Sequence, residues 1–300
     1  MVPHYNSLKD AIVNIFGTTA VIKDIRNIVG GDINRTYCLL LQSGECIFMK
    51  TNTKQRMPIF ISEAIGLLAI AATKTIGVPT ILCTGIDNEN SEYSFLLLDY
   101  IESGKKRSDY FEVLANDLAA MHNTDTALLT KGKKFGFICD NFIGTQVQKN
   151  SLSNSWISFF REQRLLPQFV AAKHYFSDKE QKQNSKLLDN LEKFLIEPER
   201  PSLIHGDLWS GNVIPSREGR AILIDPAVYV GHYEADIAMT QLFGGFPPTF
   251  YGAYCEAMVL QDGYEERRDI YNLYHLLNHL NIFGSSYLES VKNIVSRYMG

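Results

Sequence analysis

Within "LIHGDLWSGN" (203–212) of this 300-residue chain, His205, Asp207 and Asn212 follow an apolar run, and Asp225 ends "AILID" eighteen residues after Asp207. A carboxylate that faces a hydroxyl can take its proton while the oxygen attacks. An amide oxygen and a second carboxylate can hold Mg²⁺, a hard cation that takes oxygen ligands and keeps room for phosphate oxygens. Together these are the parts that phosphoryl transfer needs. Taken alone, His205 and Asp207 could equally hydrogen-bond the backbone of a turn.

Further features favour the chemical reading. The spacing H-x-D-x-x-x-x-N from His205 to Asn212 is that of kinase catalytic loops, and Asp225 opens "DPA" where protein kinases have "DFG". The segment "NVIPSREGRAILID" (212–225) reads as a hairpin closed by "PSREG", which would bring Asn212 and Asp225 to one metal. Lys50 ends "CIFMK" on the strand face it shares with Cys46 and Phe48, so it points inward or to a cleft. Glu63 falls three residues after Phe60 and four before Leu67, beside a helix's apolar stripe, where a carboxylate needs a cation. A Lys50–Glu63 pair is the arrangement by which kinases position phosphates. Gly30 and Gly31 would let backbone approach phosphate oxygens, although paired glycines also make ordinary tight turns.

The elements that must position these residues are legible from periodicity. The first 100 residues hold strand-like runs, "TYCLLL" (36–41), "CIFMK" (46–50) and "YSFLLLDY" (93–100), with a hairpin signal "QSGE" between the first two. One helix is expected at 58–74, with Pro58 near its start and Phe60, Ala64, Leu67, Leu68 and Ala71 on one face. From about residue 108 the chain turns helical, at 109–122, 155–172, 185–195 and 267–283, interrupted only by the 212–225 hairpin. In the last helix Ile270, Leu273, Tyr274, Leu277 and Leu280 form a core stripe. The expected fold is α+β and two-lobed, a nucleotide-binding lobe over 1–100 and a helical lobe over 101–300 with a ligand cleft between them.

Composition narrows the partners. With 45% apolar and 21% charged residues, a net charge of −4 and no Lys/Arg-rich run, nothing favours nucleic acid. The N-terminus lacks the pattern of a signal peptide, and the longest apolar runs fall far short of the ~20 residues a membrane span needs. The five scattered cysteines form no C-x-x-C pair, so they read as small hydrophobes of a reducing compartment, and a cytoplasmic chain is expected. Nothing in the sequence sets an oligomeric state.

"HGDLWSGN", "LIDPAVYVGHYEADIAMTQLFGGFPPTFYGAY", "DNFIGTQVQKNSLSNSWISFFREQRLLPQ" and "GGDINRTY" together resemble the fructosamine/ketosamine-3-kinases, from about residue 8 to the C-terminus. That family belongs to the aminoglycoside phosphotransferase group with a protein-kinase-like fold. The resemblance implies ATP- and Mg²⁺-dependent phosphorylation of a ketosamine's sugar 3-hydroxyl, free or protein-bound, giving a labile phosphate whose breakdown frees the amine. It implies Asp207 as base, Asn212 and Asp225 as Mg²⁺ ligands, and Lys50 with Glu63 as the phosphate-positioning pair. Gly30 and Gly31 become the phosphate loop, Asp99, Tyr100 and Ile101 the hinge that meets adenine, and His205 and Asp236 the support of the catalytic loop. Trp209 would stack on the sugar, with His232 and Glu234 lining the acceptor pocket. Some relatives carry cysteine where this chain has Asp32, so thiol switching in that loop does not carry over.

Only eight residues separate Asp225 from Glu234, too few for a peptide-docking activation segment. The rivals are a phosphotransferase for aminoglycosides or choline, which would use the same Asp207, Asn212 and Asp225, and a non-catalytic ATP-binding pseudokinase. The pseudokinase would be expected to lack one of Lys50, Asp207, Asn212 or Asp225, and all four are present.

Overall fold

The computed structural model describes residues 2–28, 33–89 and 92–299. The chain is α+β and divides into two compact units, Met1–Tyr110 with Ile214–Asp225, and Phe111–Val213 with Pro226–Gly300. The division thus falls some ten residues later than the sequence suggests, and the 214–225 segment goes with the first unit.

The first unit runs β1 (His4–Tyr5), α1 (Leu8–Phe16), β2 (Ile22–Ile28), β3 (Arg35–Leu41), β4 (Cys46–Thr53), α2 (Met57–Thr73), β5 (Ile81–Asp87) and β6 (Tyr93–Asp99). The sheet order is β1-β5-β6-β4-β3-β2, antiparallel except where β1 runs parallel to β5. The faces of β4 and β6 are covered by α1 on one side and α2 on the other, and two-residue alternation sorts the side chains. Ile47, Met49, Phe95 and Leu97 pack with α1 residues Leu8, Ala11 and Ile12. Leu96, Leu98 and Phe48 pack instead with α2 residues Met57, Phe60, Ala64 and Leu67. Lys50, two residues after Phe48 and paired with Leu96, therefore shares the α2 face.

Pro58 sits in the first turn of α2, and Lys74 closes the helix in the left-handed region at φ 58°. Of the expected α2 stripe, Phe60, Ala64 and Leu67 are buried, whereas Leu68 and Ala71 face solvent. The buried arc instead leans toward Glu63 and Ile70. The segment Lys54–Thr73 is long and apolar enough to cross a membrane, which corrects the expectation that no run is. Half of it is buried, and it serves as the cover of a sheet. β2 and β5 escaped the sequence reading: "IKDIRNI" is a largely exposed edge strand, and "ILCTGID" carries a glycine and a polar threonine.

The second unit begins with α3 (Tyr110–His122), whose first residue still counts with the first unit, then the hairpin β7 (Asn141–Ile143) and β8 (Gln146–Gln148). Next, α4 (Trp156–Phe160) passes through a π turn, Arg161–Leu165, into α5 (Leu166–Ala171). Helix α6 (Asp178–Leu188) starts from a Ser177–Glu180 capping box. Strand β9 (Ser202–Ile204) leads into the 205–212 loop. There follow β10 (Val213–Pro215) and β11 (Ala221–Leu223), the expected hairpin, which rejoins the first unit where the Leu223 N–H donates to the Gly77 carbonyl (2.8 Å). The chain returns through β12 (Tyr229–Gly231), antiparallel to β9, and ends in α7 (Glu234–Leu242), α8 (Pro248–Ala257), α9 (Tyr264–Phe283) and α10 (Leu288–Met299). The α9 stripe is buried as expected, and Trp156 packs among Phe159, Phe160, Tyr229 and Tyr271. The pairs β7–β8 and β9–β12 are strands of three residues each, too short for a periodic signal, so the helical half holds more sheet than expected.

His275 on α9 is buried, and its Nδ1 has no hydrogen-bond partner. Burial, then the neighbouring His279, push its pKa down to about 3. A folded-state value below the ordinary 6.5 means that the unfolded chain binds the extra proton between those two pH values, so His275 costs stability as pH falls below 6.5. At pH 5 that cost is about 2 kcal/mol. Unfolding free energies at pH 7.5 and 5.0 should therefore fall about 2 kcal/mol further for the natural chain than for His275→Phe. Parallel pH dependence of the two chains would contradict the buried, neutral imidazole.

Candidate active site

In the first unit, Lys50 and Glu63 are both buried, and the Lys50 Nζ donates to Glu63 Oε1 at 2.7 Å and also to Asp225 Oδ1. Asp225 lies just past β11 with its side chain 43% exposed, against 4% for Lys50. Burial opposes charge on the Lys50 ammonium, but the Asp225 and Glu63 carboxylates outweigh it and hold its pKa above the ordinary lysine value. Two carboxylates around one ammonium leave the trio a net negative charge. Accordingly burial, helped by the like charge of Asp225, pushes Glu63 up to about 7 against the pull of Lys50. Asp225 has φ +55°, a left-handed conformation rare for residues other than Gly, Asn and Asp. The trio offers a positive group for phosphate oxygens and an exposed carboxylate for a cation.

In the second unit, β9 delivers the 205–212 loop, and Asp236 in the first turn of α7 anchors it. Its carboxylate accepts from the backbone N–H of His205 (2.7 Å) and of Gly206 (2.9 Å) and contacts His122 Nε2 (3.2 Å). His122 Nδ1 in turn meets the Tyr254 hydroxyl at 2.7 Å. Burial would raise the pKa of Asp236, but the bonds from His122 and the Gly206 amide keep it below the usual carboxylate value. Gly206 has φ +78°, and a Cβ there would stand 2.1 Å from the Ala227 carbonyl, so no side chain fits. The Ala227 N–H donates to the His205 carbonyl (2.9 Å), and the Asp207 N–H to His205 Nδ1 (3.3 Å).

Half-buried Asp207 is held by Asn212, whose Nδ2 donates to its backbone oxygen (2.9 Å) and to Oδ2 (3.2 Å). With its nitrogen turned to Asp207, Asn212 has the amide oxygen for a cation. Trp209, 39% exposed, lies across Gly211, where a Cβ would fall 2.2 Å from the indole. Its edge meets the exposed ring of Phe243, at 6.5 Å between centroids and 80° between planes.

The other sequence-based assignments fare unequally. Gly30 and Gly31 lie outside the described residues, as does Asp32. Asp99 ends β6, where its carboxylate accepts from the Thr80 N–H (2.5 Å) and its own N–H donates to the Thr80 carbonyl (2.9 Å). Beyond it, Tyr100 is exposed and Ile101 half-buried. His232 and Glu234 do not line an acceptor pocket: both are 0% exposed. Glu234 is ion-paired with Arg267 (2.7 Å), and His232 Nε2 bonds Gln261 (3.1 Å). They tie α7 to the start of α9, and burial with the nearby Arg267 charge pushes His232 down to about 3. His122 and Tyr254, which back Asp236 from 114 and 18 residues away, escaped the sequence reading because they carry no local motif. Among the described residues no group of three or more His, Cys, Asp or Glu could form a metal site. Mg²⁺ needs no such cage, since it is usually held by one or two protein oxygens, phosphates and water; Asn212 and Asp225 are donors of that kind.

The chain is similar to known proteins over nearly its whole length. The sequence profile of the family described as "Fructosamine kinase" matches residues 4–300. The chain is 38% identical over 288 residues to a chloroplastic protein-ribulosamine 3-kinase of Arabidopsis thaliana, spanning 94% of this chain and 85% of the relative. It is 35% identical over 297 residues to a protein of Synechocystis named as a probable ketoamine kinase, spanning 98% and 96%. A crystal structure from Haemophilus somnus 129PT, assigned to the fructosamine-3-kinases, superposes with a TM-score of 0.87 at 29% identity, covering 98% of this chain and 97% of that one.

Proposed function

The chain belongs to the fructosamine kinase family, and from that premise we propose that it transfers the γ-phosphoryl group of ATP to the sugar 3-hydroxyl of a ketosamine. It acts on a small-molecule or protein-bound adduct, with Asp207 as general base. The observation that carries the reading is the buried Lys50 paired with Glu63 at 2.7 Å beside Asp225, since a Lys–Glu pair is the arrangement by which kinases position phosphates. Lys50 takes α- and β-phosphate oxygens, and Glu63 fixes its ammonium. Asp207 accepts the hydroxyl proton while that oxygen forms its bond to the γ-phosphorus, the bond to the ADP oxygen breaks, and ADP leaves. Asn212 orients Asp207 through its two hydrogen bonds. Bound Mg²⁺ would neutralise phosphate charge, and Asn212 Oδ1 and the Asp225 carboxylate are the groups to hold it.

Tyr100 and Ile101 supply the base contact, and Gly30 and Gly31 the phosphate loop. The exposed Trp209 ring, backed by Gly211 and flanked by Phe243, suits stacking on a sugar face. Five free cysteines support a reducing compartment, in keeping with the cytoplasm.

The test is an ATP-consumption screen over fructosamines, ribulosamines, aminoglycosides and choline, with the phosphorylated position read by NMR. Turnover is expected on the first two classes and at the 3-hydroxyl. Turnover confined to the last two would overturn the substrate assignment, and turnover on none would favour a pseudokinase.

A further inference from the structure

Arg164, in the π turn between α4 and α5, is 0% exposed and has no carboxylate within ion-pair distance among the described residues. Nη1 donates to the carbonyls of Lys149 (2.5 Å) and Gln163 (3.0 Å), Nη2 donates to Asn150 Oδ1 (2.6 Å), and Nε has no acceptor. Its carbon centre stands 3.9 Å from the ring centroid of Tyr229 and 4.7 Å from that of Phe159. Stability alone gives little reason for such a group, because well-packed apolar residues commonly replace buried charges at no loss. The π turn is also a costly local geometry that tends to occur at functional sites.

What the guanidinium holds leads to the catalytic loop. Asn150 Nδ2 and Gln148 Nε2 both donate to Asn141 Oδ1, at 3.0 and 2.8 Å. Asn141 Nδ2 donates to the Val228 carbonyl (2.7 Å), and Gln148 Nε2 also reaches the Ala227 carbonyl (3.0 Å). Ala227 is the residue whose N–H holds the His205 carbonyl and whose oxygen excludes any side chain at Gly206. A lone lysine could keep the charge here, but it could not make two directed bonds and stack on Tyr229 at once.

We propose that Arg164 is a positioning residue for phosphoryl transfer: through Asn150, Asn141 and Gln148 it fixes the 227–228 carbonyls, and so the His205–Gly206 turn that aims Asp207. The proposal rests on Asp207 acting as the base.

The test compares Arg164→Lys and Gln148→Met with the natural chain, measuring kcat per folded molecule, KM for ATP and the melting temperature. Both variants should lose about 10- to 100-fold in kcat, the effect of displacing a catalytic group by about 1 Å, with KM for ATP changed less than about twofold. Lysine should give no rescue. A purely structural role would lower only the melting temperature, so kcat within about twofold of the natural chain in Gln148→Met overturns the proposal. That variant adds no buried charge and decides the matter if Arg164→Lys does not fold. A natural chain that phosphorylates no ketosamine would overturn the substrate reading instead, and the same comparison is then made on whichever other acceptor of the screen it phosphorylates.

Discussion

Asp207→Asn should lower kcat by roughly 10²–10⁴-fold, the range that a general base contributes. The substitution keeps the shape of the side chain and an oxygen able to accept from Asn212 Nδ2, while the Asp207 backbone oxygen keeps its own bond to that nitrogen. The loop itself is held elsewhere, by Asp236 on the His205 and Gly206 amides and by Ala227 on the His205 carbonyl. Only the capacity to take a proton is removed. KM for ATP should stay nearly unchanged, because Lys50, Glu63 and Asp225 hold one another without Asp207. A steady-state comparison of kcat and both KM values checks this. Turnover within a few-fold of the natural chain would remove Asp207 from the base's role, and a rise in KM for ATP as large as the fall in kcat would make it a binding group.

The site was readable where the chemistry is local and unreadable where it depends on distant packing. Asp207, Asn212 and Asp225 sit in one stretch with a spacing that phosphoryl transfer explains, and Lys50 and Glu63 betrayed themselves as charges on apolar faces. Their direct contact in the first unit follows from two-residue alternation along β4 and the 3.6-residue turn of α2. His232 and Glu234 misled because a motif neighbour looks the same in sequence whether it faces a ligand or an arginine 33 positions away. The Arg267 partner is set by how α7 meets α9, which no local window contains. His122, Tyr254, Asn141 and Gln148 were hidden for the same reason: the contacts His122–Tyr254, His122–Asp236, Asn141–Val228 and Gln148–Ala227 span 79 to 132 residues. The small strands β7, β8, β9 and β12, at three residues each, are shorter than the period-2 signal needs, and tertiary pairing alone defines them.

The second large effect is expected at Asp225, and the choice of replacement matters. At φ +55°, alanine would add backbone strain to the loss of the carboxylate, whereas asparagine tolerates the left-handed region and isolates the charge. Asp225→Asn should therefore lower Mg²⁺-dependent turnover by about 10³-fold or more, on the order of 4 kcal/mol of transition-state stabilisation, while the chain folds as before. Stability should hardly change, since Asp225 is the exposed member of the trio and Lys50 keeps its 2.7 Å contact with Glu63. The same change removes the like charge that helps hold Glu63 near 7, so Glu63 should ionise at lower pH and pair more firmly with Lys50. Turnover and the Mg²⁺ concentration for half-maximal rate, measured beside a melting curve, separate these consequences. Retained turnover at ordinary Mg²⁺ would contradict the metal assignment. A large fall in melting temperature would mean that the Lys50–Asp225 contact holds the first unit together rather than waiting for a cation.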